Sequence, residues 1–166
     1  EERNALSMID VSKEMRELEA VYEDSNARGE IKFVSSVATP TDFTKVLSAY
    51  RPNVLHFSGH GDRDGHCMFE NEMGVVRRIG ATELRELLRH IGSIDLIFLS
   101  SCYSEKLARE LVQQKCCKVV VAVNTDHAVL DKVSMRFTTS FYASLFNGFS
   151  IERSFEIARA RIKLDM

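Results

Sequence analysis

Ile94-Asp95-Leu96-Ile97-Phe98-Leu99-Ser100-Ser101-Cys102-Tyr103-Ser104 begins with a run that is apolar except for Asp95 and ends in small and polar residues. A run of that length, with helical patterns before and after it, fits a strand covered on both faces in a parallel sheet. Ser100 to Tyr103 then form its carboxyl end. Ser104 can cap the next helix, whose buried face is Leu107, Ala108, Leu111 and Val112. Lys118-Val119-Val120-Val121-Ala122-Val123 reads as a further buried strand. On the other side, Leu84, Leu87, Leu88 and Ile91 fall at i, i+3, i+4, i+7 spacing, in a helix started by Thr82 and stopped by Gly92.

Farther upstream, Val54-Leu55-His56-Phe57 is a short apolar strand that runs into Ser58-Gly59-His60-Gly61-Asp62. The two glycines there force a tight turn and leave His60 just past a strand end. Residues 66 to 79 predict a hairpin, with Cys67-Met68-Phe69 and Val75-Val76 flanking a turn through Asn71 to Gly74. A first helix is expected from Ala5 to Tyr22, with Gly29 breaking the pattern, and Ile31 to Val37 reads as a strand. Thr41 or Asp42 then caps a helix carrying Phe43, Val46, Leu47 and Tyr50, which Pro52 ends. The last third is helical: Val129, Val133, Phe137, Phe141 and Leu145 recur every four residues up to Gly148, and Ser150 opens a helix with Ile151, Phe155, Ala158 and Ile162. Alternating strands and helices predict an α/β domain with a mostly parallel central sheet, right-handed crossovers and helices on both faces.

The 166 residues, 45% of them apolar, suit a single domain with a sizeable core, and neither a linker nor an internal repeat interrupts them. Lys and Arg number 22 against 24 Asp and Glu, so the chain lacks the basic face that direct nucleic-acid binding needs. No apolar stretch approaches the roughly 20 residues of a membrane-spanning helix, and Glu1-Glu2-Arg3-Asn4 is no export signal. The four cysteines are unevenly spaced and include no C-x-x-C, which argues against a disulfide framework or a zinc site and for a reducing, cytoplasmic setting. The expectation is a soluble protein without membrane, metal or cofactor.

Sites in open α/β sheets form at the carboxyl ends of strands, and two such ends carry His60 and Cys102. A thiol becomes a good nucleophile when a neighbouring imidazole takes its proton, and acyl transfer needs that proton returned to a leaving amine. Cys102 also precedes a helix start, whose partial positive charge favours a thiolate. The backbone N–H groups of Gly61 and Cys102 belong to the same two turns and are candidates for an oxyanion hole. On residue types alone the alternative stands beside this one, because buried cysteines and histidines next to glycine are common structural features.

Val54-Leu55-His56-Phe57-Ser58-Gly59-His60-Gly61, followed by Leu96-Ile97-Phe98-Leu99-Ser100-Ser101-Cys102-Tyr103-Ser104-Glu105, resembles the His-Gly and Cys signatures of CHAT domains. These belong to the caspase-like clan of cysteine peptidases, with the separases. The resemblance continues through Val119 to Val123, Phe141 to Gly148 and Ser150 to Arg159, and so covers most of the chain. It implies a three-layer caspase-like fold and a peptidase dyad without metal, with His60 as general base and acid and Cys102 as nucleophile. The small pair that such domains carry before the cysteine is matched by Ser100 and Ser101, which the resemblance places near the substrate. It also implies a strand ahead of the first helix, in the middle of the sheet. The chain opens instead with that helix, so residues 1–166 are expected to be part of a longer protein or a processed chain, with a regulatory domain or partner governing cleavage of a protein or peptide substrate.

Asp62 and Asp126 each follow a strand and have two readings: a turn-forming residue, or one that orients His60 or meets a basic substrate residue. His56 is expected to pack inside the sheet, and His66, His90 and His127 to lie in loops or at helix ends. Cys67, Cys116 and Cys117 read as packing residues, and Arg77 and Arg78 as solvated hairpin surface. Two further readings use the same fold: a scaffold that does not cleave, and a thiol-dependent acyltransferase or amidase.

Overall fold

The computed structural model describes residues 11–26, 29–123 and 128–164, the side chains of 128–131 excepted. In chain order its elements are α1 (Val11–Asp24), α2 (Pro40–Tyr50), β1 (Val54–Gly59), β2 (Cys67–Glu70), β3 (Val76–Ile79), α3 (Ala81–Leu88), β4 (Ile94–Ser101), α4 (Ser104–Gln113), β5 (Cys117–Val123), α5 (Ala128–Phe146) and α6 (Ile151–Leu164). The result is a mixed α/β architecture, a parallel sheet flanked by helices with a small antiparallel hairpin after His60, as expected of a caspase-like domain. The chain divides into two compact units, residues 36–126 and the segments on either side of them.

The sheet lies wholly in the first unit. Its strand order is β1-β4-β5, all parallel, with Gly59 opposite Ser101 and Ser100 opposite Val123 at the carboxyl ends. β4 is central and buried along almost its whole length, which is why its sequence is a near-continuous apolar run rather than an alternating one. One core gathers Leu47 of α2, Phe57 of β1, Phe69 of β2, Leu84 and Leu88 of α3, Ile97 and Leu99 of β4, and Leu107 and Leu111 of α4. Phe69 is its hub, with ring centroids 5.2 Å from both Phe43 and Phe57. A two-stranded hairpin is marginal by itself, and this buried ring anchors it to the sheet.

The caps differ from expectation by one or two residues, and the reason is local. Thr39, not Thr41 or Asp42, caps α2: its Oγ1 accepts the N–H of Asp42 at 3.0 Å, and Pro40 fills the first helical position. α3 starts from Gly80, whose N–H donates to Glu83 Oε2 at 3.0 Å, so Thr82 lies inside the helix. At α4 the residue before the helix is Tyr103 in the left-handed conformation at φ 53°, and Ser104 is the first helical residue. The Ser104 hydroxyl donates to the Val123 carbonyl at 3.4 Å, joining the helix start to the end of β5.

In the other unit α1, α5 and α6 pack together through aromatic rings. Tyr22 meets Phe146 edge-on at 5.8 Å, and Phe137 meets Phe155 at 5.4 Å. Ile31 to Val37 is not a strand. Phe33 stacks on Tyr22 at 5.3 Å, the Tyr22 hydroxyl donates to the Ile31 carbonyl at 2.7 Å, and Ser35 bonds Glu19. The segment is tied to α1 by side chains, and no strand among the described residues pairs with it. Residues 5–10 of the expected first helix lie outside the described residues. Among the described residues no helix is long and apolar enough to cross a membrane.

Candidate active site

Parallel strands run about 4.8 Å apart, so residues in register at their carboxyl ends are near neighbours. Gly59 of β1 is in register with Ser101 of β4, and His60 and Cys102 each follow by one residue. The structure therefore brings the two expected dyad residues to adjacent strand ends within one compact unit. His60 is exposed and Cys102 half-buried.

The two turns touch through their backbones. A methyl group on Gly61 would overlap the Cys102 carbonyl oxygen, closer than real side chains come, and would stand 3.4 Å from Ser101 Oγ. Glycine is required here by crowding. Two residues on, the Arg63 guanidinium lies over the Tyr103 ring, 5.3 Å from its centroid, a second link between the His60 loop and the residue after Cys102. Gly65, at φ 87°, lets the same loop pass close to Lys106 and Leu107 of α4.

The hairpin closes the loop from the other side. Gly61 bridges Cys67, with Met68 N–H donating to the His60 carbonyl at 2.9 Å and Asp62 N–H to the His66 carbonyl at 3.1 Å. That pattern leaves the Gly61 N–H out of the hairpin ladder. Asp62, only 10% exposed in its side chain, accepts from the N–H groups of Asp64 at 2.9 Å and His66 at 3.0 Å, from His66 Nδ1 at 3.1 Å and from Arg78 at 2.8 Å. Burial works to raise its pKa, but the hydrogen bonds from the His66 backbone and ring and the charges of His66 and Arg78 outweigh it and hold the carboxyl below its usual value.

Among the remaining expected site residues, Ser100 and Ser101 are buried at 3% and 1% exposure at the end of β4, under the turns rather than on their surface. Asp126 lies outside the described residues, as does His127. Cys102 sits two residues before the first residue of the ten-residue α4, where the helix field favours negative charge. Of the other three thiols, Cys67 and Cys116 are buried and Cys117 is half-buried: desolvation, with the Asp62 charge added, pushes Cys67 up to about 12, and desolvation with the neighbouring Cys116 pushes Cys117 up to about 11. Cys116 is raised too, again by burial. These three are packing residues at neutral pH.

His56 stacks on Phe98 at 4.9 Å inside the sheet, and His90 accepts from Arg89 at the exposed end of α3. No group of three His, Cys, Asp or Glu among the described residues could hold a metal. Sequence reasoning missed Arg63, His66 and Arg78 as members of the site. Asp62 and His66, four apart around Gly65, offered a signal as a side chain that closes a turn on itself. The reach of Arg78 depends on the hairpin register, Met68 opposite Arg78, which local spacing does not reveal.

Comparison with known proteins covers nearly the whole chain. The CHAT domain family model matches residues 2–165. A "Roc-COR-CHAT protease" from an unknown prokaryotic organism is 24% identical over 166 residues, covering 95% of this chain and 15% of that protein. A "Probable protease" of Gillisia limnaea (strain DSM 15749 / LMG 21470 / R-8282) is 23% identical over 148 residues, covering 86% of this chain and 25% of its own length. The chain thus spans a quarter or less of these relatives.

Proposed function

The chain belongs to the CHAT domain family, a protease-like family, and from that premise we propose that it is a cysteine endopeptidase acting through His60 and Cys102. The observation that carries this reading is the convergence of the two turns: Gly59 and Ser101 in register, with Gly61 packed against the Cys102 carbonyl. Cys102 Sγ attacks the scissile carbonyl carbon while His60 takes the thiol proton, and the carbonyl oxygen becomes an oxyanion held by the N–H groups of Gly61 and Cys102. Collapse of the tetrahedral intermediate breaks the C–N bond, His60 protonates the departing amine, and a thioester remains. Water, deprotonated by His60, attacks the thioester, releasing the acid product and the Cys102 thiol.

Control by another domain or a partner is part of the proposal, supported by a relative whose name joins CHAT to Roc and COR. Four free thiols favour a cytoplasmic setting. The edge of β1 away from β4 carries no strand among the described residues, and we place there a strand from a longer chain. The β1 amides that β4 leaves unbonded then exchange slowly in the longer protein and quickly in the 166-residue chain; fast exchange in both removes that strand.

Cleavage of a peptide library, abolished in both Cys102→Ala and His60→Ala, is the expected result. A peptide-like thiol-reactive probe at neutral pH is expected to label Cys102 alone, and to lose that selectivity in His60→Ala. Cleavage that survives either substitution overturns the dyad. Equal labelling of all four cysteines in folded protein supports a scaffold without catalysis.

A further inference from the structure

We propose that Asp62 is a positioning residue for His60, its carboxylate fastening the loop that carries the imidazole to the hairpin through His66 and Arg78. The inference rests on the reading of His60 as general base. Every polar group of Asp62 is engaged: its N–H with the His66 carbonyl, its carbonyl with the Gly65 N–H at 3.1 Å, Oδ1 with Asp64 and His66, and Oδ2 with Arg78. A turn-forming aspartate accounts for the local bonds to Asp64 and His66. It does not account for Arg78, which arrives from the second strand of the hairpin, and it does not require a side chain 10% exposed.

The consequence for chemistry follows from where the loop is pinched. His60 is held on one side by the β1–β4 register and on the other by the bond from Met68 N–H to its carbonyl. Gly61 follows, so close to the Cys102 carbonyl that a Cβ would overlap it. Asp62 is the next residue, and its contacts set the angle at which the chain leaves that pinch. Without the carboxylate charge the ties to Arg78 on the hairpin and to the His66 ring weaken, the turn relaxes, and the displacement is passed to His60. A misplacement near 1 Å at a catalytic group costs about 100-fold in rate.

The variants are Asp62→Asn, Arg78→Ala and Arg78→Lys, each compared with the parent in two measurements. One is kcat and KM on a cleaved peptide. The other is the pH–rate profile for alkylation of Cys102 by iodoacetamide, which reads the His60–Cys102 pairing without a substrate. Asp62→Asn is expected to lower kcat about 10- to 100-fold with KM changed less than about threefold, and to move the inflection of the alkylation profile toward that of His60→Ala. Arg78→Ala moves both in the same direction by less, and Arg78→Lys, which restores the charge, returns most of the loss. A residue that only stabilised the fold would lower the active fraction and leave the inflection where it was. Profiles and kcat within twofold of the parent in Asp62→Asn overturn the proposal; should that variant fail to fold, Arg78→Ala, altered at a 57% exposed side chain, decides by the same criteria. Failure of the dyad itself shows differently, as a parent profile that His60→Ala leaves unchanged.

Discussion

Gly61 is the residue on which the site turns, because the space a Cβ would need is filled by the backbone of Cys102. The obstacle to that Cβ is the Cys102 backbone carbonyl, which has no rotamer by which to move aside. Gly61→Ala therefore has to push the two turns apart. The expected outcome is a loss of about 100-fold in kcat/KM, together with about 1–3 kcal/mol of stability from overpacking. Peptide cleavage and urea unfolding of the same preparation check both; an alanine variant with parental cleavage removes Gly61 from the site. How legible this was differs by residue. His60 and Cys102 stood out because strand ends followed by glycine or by a helix start can be read from spacing. The Gly61–Cys102 contact joins residues dozens of positions apart, and the Asp62–Arg78 pair joins a loop to the second hairpin strand, so local pattern carries no information about either.

Among elements, the central strand, the hairpin and the helices were readable because each satisfies its own periodicity and also finds a partner. Ile31 to Val37 shows what happens when only the first condition is met. Its β-branched and aromatic residues suit a strand, yet Val37 is 78% exposed and Phe33 packs on Tyr22 instead. Strand propensity measures fitness for a sheet, and a neighbour with free backbone groups must be supplied by the rest of the fold. Ser104 illustrates a subtler limit, since its hydroxyl found the Val123 carbonyl when Tyr103 took the left-handed turn. Within the helices, Thr138 of α5 is fully buried and its Oγ1 meets no hydrogen-bond partner among the described residues. Replacing such a hydroxyl by a methyl of the same shape removes a desolvation cost of about 1–3 kcal/mol. Thr138→Val is expected to raise stability by about 1 kcal/mol in urea unfolding, with no change in cleavage. A destabilised Thr138→Val would mean that the hydroxyl is satisfied in solution.

For the whole molecule, stability must depend on pH through groups whose pKa differs between the folded and unfolded chain. Cys67 is such a group: at 2% exposure, with burial as the larger cause and the Asp62 charge as the smaller, its thiol is pushed up to about 12 from an ordinary 9.0. A raised folded value means that the native state keeps a proton which the unfolded state gives up. The stabilisation is therefore complete below pH 9.0 and is lost as pH rises toward about 12. Over that window a single thiol contributes a slope of about 1.4 kcal/mol per pH unit. Lysines and tyrosines titrate there as well, so the difference between parent and Cys67→Ala isolates the thiol. The alanine variant starts lower at pH 7, having lost packing beside Phe69, but its stability is expected to fall less steeply between pH 9.5 and 11, so that the two curves converge by about 1.4 kcal/mol per unit in reducing urea titrations. Parallel curves across that range would show that the Cys67 thiolate forms equally well in the folded protein, and that the hairpin opens to water without the rest of the domain unfolding.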